Sequence, residues 1–166
     1  MSTASVNLGG WLDHWSRVGR WHARLEDMCS GLPPGRRPHE AVDDVLAFFV
    51  FCYHLRDARV SVGDSEDQVD AFIKSNGALA LCRDLATATK HFEVRKPYVP
   101  TQHLMTAAMQ TVLRSGKPQP CEPVPGERWV VRTDGGDKDL FELADECIEA
   151  WRTYLASVVL PATSPS

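Results

Sequence analysis

The chain has 166 residues, enough for one domain with a core of its own. Hydrophobic residues make up 43% and charged residues 24%, which excludes wholesale disorder and a fibrous architecture. With 18 Lys and Arg against 22 Asp and Glu the net charge is −4, so no general basic coat for nucleic acid exists, while a local basic patch is compatible with the balance.

Met1 to Gly10 has neither the basic start nor the apolar run of a secretory leader. The first helix is predicted from about Gly10 to Cys29, where Trp11, Trp15, Val18, His22 and Leu25 recur at alternating spacings of 4 and 3. His22 on that stripe is expected to be a satisfied core or interface histidine. Gly31 to Pro38 is dense in helix breakers and reads as a loop. A second helix follows over His39 to Ala58 and is apolar on nearly every side, as a central bundle helix or one shared with a partner subunit must be. Its most apolar run, Val45 to Leu55, is about half the ~20 residues of a membrane span, and no membrane segment is expected. Ser65-Glu66-Asp67-Gln68 matches a capping box and opens a short helix to Ser75. Asn76-Gly77 separates it from a fourth helix over Ala78 to His91, with Leu81, Cys82, Leu85, Ala86 and Thr89 as its inner stripe.

Phe92 to Val99 is expected to be extended, since Pro97 and Pro100 limit any helix. Gln102 to Arg114 is ambiguous, its Ala, Met and Leu content favouring helix. Ser115 to Gly126 is a Pro-rich loop, Arg128 to Thr133 a strand and Asp134-Gly135-Gly136 a turn. The last helix is predicted from Lys138 to Val159, with the acidic residues between Asp134 and Glu149 on its wet face and N-terminal half. Residues 1–160 thus read as a single, mainly α, antiparallel helical bundle with a small extended or β insertion before the last helix. Pro161 to Ser166 reads as a disordered tail.

Most patterns that carry chemistry are absent, including phosphate-binding glycine loops, a nucleophile elbow and a His-Glu-x-x-His zinc motif. The five cysteines have long gaps and no zinc spacing, and are expected as reduced core thiols in a cytoplasmic protein without cofactor or metal. His54 and Asp57, three apart on the second helix, are expected as a buried hydrogen-bonded pair. The remaining feature is Cys82-Arg83-Asp84-Leu85-Ala86-Thr87-Ala88-Thr89-Lys90-His91. At ~100° per residue, Asp84 and His91 project within ~20° of each other, and Thr87 lies towards the same side. Such a set suits phosphodiester chemistry. His91 would move a proton, Arg83 and Lys90 would hold the phosphate, and Asp84 would orient His91. The same groups also suit a simpler role, capping and solvating a helix end while Asp84 pairs within the bundle.

Phe51-Cys52-Tyr53-His54-Leu55-Arg56-Asp57, then Cys82 to His91, then Glu149-Ala150-Trp151, resembles a group of bacterial and phage helical proteins. These carry His-Leu-x-Asp, Cys-x-Asp-x-Ala-Asn-x-x-Lys-His and a Trp in the final helix. The arrangement is in turn similar to the HEPN superfamily of helical bundles, whose members are often homodimers. Many are metal-independent ribonucleases of toxin–antitoxin or phage-defence systems, signed by Arg, a polar residue, and four to six residues before a His. Here seven residues separate Arg83 from His91, and Thr87 stands at the Asn position.

The resemblance implies a homodimer that binds RNA, with Arg83, Asp84 and His91 as the catalytic set and Lys90 and Thr87 holding substrate. An antitoxin or other protein partner is also implied. The alternative is a non-enzymatic adaptor or immunity-type protein using Trp11, Trp15 and Trp21 on a protein partner. A third reading is a phage structural or accessory protein.

Overall fold

A computed structural model describes residues 9–29, 38–91, 97–99, 101–111 and 125–159. Of the expected loops Gly31 to Pro38 and Ser115 to Gly126, residues 31–37 and 115–124 lie outside these residues, as does the tail, whereas Pro38 is helical and Pro125 and Gly126 are strand. The elements in chain order are α1 (Trp11–Cys29), α2 (Pro38–Val60), α3 (Glu66–Ser75), α4 (Gly77–His91), β1 (Thr101–Thr111), β2 (Pro125–Thr133), β3 (Gly136–Asp139) and α5 (Leu140–Val159). The fold is mainly α, with a small antiparallel sheet of order β1-β2-β3 before the last helix.

The apolar character of α2 is used within the chain. α2 packs against α1, α3, α4 and α5, burying Val45, Phe48, Phe49, Cys52 and Leu55. α1 contributes Val18, Leu25 and Met28 to the same core, and α5 contributes Leu140, Leu143, Cys147 and Trp151. Trp11, Trp15 and Trp21 are partly buried against that core. The Trp21 ring stacks on Phe51 with centroids 5.8 Å apart, and the Arg59 guanidinium lies 4.5 Å above the Trp11 ring. No helix among the described residues is long and apolar enough to cross a membrane.

Three local expectations need correction. Ser65 does precede α3, but its side chain makes no capping bond; the turn is held by its carbonyl, which accepts from the amides of Gln68 and Val69. Gln102 to Thr111 is strand, paired with β2 from Thr111↔Pro125 to Met105↔Val131. Its Ala and Met content favours helix, but pairing to a Val-rich neighbour overrides that weak preference. The last helix starts at Leu140, because Gly136 to Asp139 pairs with β2 as a third strand. Gly136 takes φ 113°, which a side chain would strain.

Two residues switch the chain from one element to the next. Asn76 donates its backbone N–H to Phe72 and Ile73 at the end of α3, while its side-chain oxygen accepts from the Leu79 amide at the start of α4 (3.1 Å). Asp139 ends β3 and accepts from the amides of Phe141 (2.8 Å) and Glu142 (3.2 Å), capping α5. Within the acidic run, Asp139 is therefore buried, whereas Glu142, Glu146 and Glu149 are exposed as expected.

Candidate functional site

α4 carries the candidate residues because its apolar positions Leu81, Cys82, Leu85 and Ala86 turn one face into the bundle. Asp84 is on the edge of that face and only 1% exposed. Its Oδ1 accepts from the Tyr98 amide (3.1 Å) and its Oδ2 from the Val99 amide (2.8 Å). Arg83 donates from Nη1 to Oδ1 at 2.9 Å. The carboxylate thus ties the segment beyond α4 back onto the helix. A buried charge needs such partners, and backbone amides are strong ones.

Arg83 lies 20% exposed, with its guanidinium 4.4 Å from the centre of the Tyr98 ring. Burial works against its charge, but Asp84 outweighs burial and holds the guanidinium more firmly protonated than usual. Thr87 donates its hydroxyl to the Arg83 carbonyl one turn back (2.8 Å), so that hydroxyl serves the helix. Lys90 is exposed in the last turn, and His91 closes the helix; the His91 side chain lies outside the described residues. Seven residues of α-helix rise ~10.5 Å, and side chains meet across a helix at spacings of three or four. α4 therefore brings Arg83 and Asp84 together and sets His91 two turns away from the carboxylate meant to orient it.

Tyr98 is not among the candidates, although the residue is 38% exposed. Arg83 approaches it at 4.4 Å and the Lys74 ammonium of α3 at 6.0 Å. The sequence signal was Pro97-Tyr98-Val99-Pro100, an aromatic residue in a stretch two prolines stiffen. A partly exposed ring with two cations close to it, and Lys90 on the same helix as Arg83, offers an aromatic surface for a flat base and positive charge for phosphate.

The other expected pairs are present in altered form. His54 Nδ1 meets Asp57 Oδ2 at 2.9 Å, but the pair is exposed rather than buried. His22 Nε2 meets Asp145 Oδ1 of α5 at 2.6 Å, joining α1 to α5 at a partly buried position. Elsewhere, Arg56 gathers Asp57, Glu66 and Asp70 around one guanidinium, whose pKa they raise further. No family model, no curated protein and no solved structure matches the chain.

Proposed function

We propose that this chain is a HEPN-like RNA-binding protein whose contact surface is the outer end of α4 and the tied segment beside it. The observation that carries the reading is the exposed Tyr98, whose backbone amide is tied to α4 by Asp84 and whose ring has Arg83 and Lys74 close to it. A single-stranded base stacks on the ring, while Lys74 and Lys90 meet the backbone. Arg83 and Asp84 hold this platform in place, Asp84 as a positioning residue for the Tyr98 and Val99 backbone. In a cleaving version of this function, His91 is the group left to transfer a proton at a ribose 2′-hydroxyl or a leaving oxygen.

The test is binding of a fluorescent single-stranded RNA by wild type, Tyr98→Ala, Lys90→Ala and His91→Ala, with a matched DNA strand beside it and EDTA present. Binding that falls on Tyr98→Ala is expected. RNA shortened by wild type but not by His91→Ala would extend the reading to a metal-independent ribonuclease. Wild type that binds neither strand would end it and leave the protein-binding adaptor.

A further inference from the structure

The sequence spaces its cysteines too widely for any linear metal motif, yet three of them meet at the centre of the bundle. Cys52 of α2, Cys82 of α4 and Cys147 of α5 are fully buried, and their sulfurs all lie within 4.8 Å of one another. We propose that these three thiols form a three-sulfur site for a soft, thiophilic metal ion, namely Cu(I).

The spacing suits it. With metal–sulfur bonds of ~2.3 Å, a flat three-sulfur site needs sulfurs ~4.0 Å apart, reached from the observed arrangement by small side-chain shifts. The donor set selects the ion. Thiolates favour soft metals such as Cu(I) and Zn2+, but structural Zn2+ takes four ligands. Among the described residues no fourth His, Cys, Asp or Glu belongs to the cluster. Three-coordination is acceptable to Cu(I), which the dry surroundings also protect from oxidation.

The shell around the sulfurs points the same way. Cys82 and Cys147 donate their S–H groups to the carbonyls of Phe49 and Ala78, each at 3.5 Å. Those carbonyls lie within α2 and α4, whose ladders already use them, so deprotonating the thiols orphans nothing. The indole Nε1–H of Trp151 is buried without a hydrogen-bond partner. The Trp151 indole and His22 both neighbour Cys52. A metal-bound Cys52 thiolate gives the indole N–H the acceptor it otherwise lacks. Each thiol that binds releases its proton to solvent, and no electron is transferred.

The experiment uses the reduced, oxygen-free Cys29→Ser/Cys121→Ser chain, which keeps only the three central thiols. Cu(I) is supplied as its acetonitrile complex against a competing chelator, both to the folded chain and during refolding. One Cu(I) per chain is expected by at least one route, with X-ray absorption reporting three sulfur neighbours. Further Cys82→Ser or Cys147→Ser changes should weaken retention at least tenfold, with circular dichroism checking the fold. The absorption spectrum of the parent chain decides the matter even where those variants unfold. No uptake by either route, oxygen or nitrogen neighbours, a sulfur count other than three, or uptake of Zn2+ with Cu(I) refused would each overturn the assignment.

Discussion

Two arginine–carboxylate corners, one on α2 and one on α4, are built in opposite ways. At the end of α2, Arg56 is surrounded by three carboxylates, with Asp70 bound to both Nε (2.5 Å) and Nη2 (2.8 Å), Glu66 at 2.6 Å and Asp57 at 2.9 Å. Negative charge is in excess there, and the carboxylates are substantially exposed. On α4 one buried carboxylate is shared by Arg83 and two backbone amides, with the Lys74 ammonium 6.0 Å from the Tyr98 ring and Lys90 exposed about two turns further along the helix. The first corner repels a phosphate chain. The second turns its single negative charge inward and leaves cations around an exposed ring. A chain with net charge −4 can thus still offer one place for an anion.

The largest effect expected from breaking this contrast is at Asp84. Asp84→Ala leaves two amides and a guanidinium without their acceptor in a nearly dry site, and should cost about 3–5 kcal/mol, as for a broken buried pair. Asp70→Ala at the exposed corner should cost under about 1 kcal/mol, because solvent and two other carboxylates remain for Arg56. Urea denaturation of both variants checks the difference. Equal losses would show that Asp84 is not the tie its geometry describes.

Sequence reasoning reached these corners unevenly. The stripes Trp11–Leu25, Val45–Cys52 and Leu81–Ala86 predict α1, α2 and α4 because one periodicity sets both helix and burial. Cys52, Cys82 and Cys147 each sit on such a stripe, so their burial was legible, but their meeting depends on how three helices rotate against one another. β1 was not legible, since its order comes from pairing with β2 and not from its own residues. Nor was Asp84's role. Its partners are the amides of residues 14 and 15 positions away, and an amide carries no mark of residue type.

Tyr98→Ala tests the platform itself. A stacked base is worth ~1–3 kcal/mol, so RNA affinity should drop about 5- to 150-fold. Stability should change little, because the substitution keeps the backbone amide that Asp84 accepts from. Affinity unchanged by Tyr98→Ala, with RNA still bound, would move the contact surface elsewhere.

A third ion pair, Arg59 with Asp64, is also largely buried. Arg59 donates from Nε and Nη2 to Asp64 at 2.9 and 2.8 Å, and the Tyr154 hydroxyl donates to the same carboxylate at 2.8 Å. Burial and that carboxylate raise Tyr154 to about 12, against ~10 in an unfolded chain. A raised group contributes stability fully below pH ~10, and loses it as pH rises through about 12. The Arg59 hydrogen bonds hold Asp64 below its ordinary value, so its contribution is present above pH ~3.9 and lost as pH falls through the folded value. Tyr154→Phe should cost about 1 kcal/mol at neutral pH and flatten the alkaline fall, leaving the acid limb largely in place. Denaturation midpoints across pH check both limbs.

The smallest effect sharpens the contrast most directly, because it reads charge without touching the fold. Lys90 is exposed in the last turn of α4, about two turns from Arg83 of the proposed platform. Lys138 is an equally simple cation, but it is paired with Glu146 at 2.5 Å beside the acidic face of α5. A lysine that neutralises one phosphate adds about 0.7 to the salt exponent of single-strand binding. Lys90→Ala should therefore lower that exponent by about 0.7, so that the affinity lost between 50 and 200 mM salt shrinks by about 2.6-fold. Lys138→Ala should leave the exponent unchanged, since its partner is a carboxylate and its neighbourhood is negative. Two equal exponents would mean that RNA spreads over the surface without regard to local charge, and the α4 corner would lose its distinction. A drop confined to Lys90 would place a phosphate within reach of that ammonium, about two turns along α4 from the ring that holds the base.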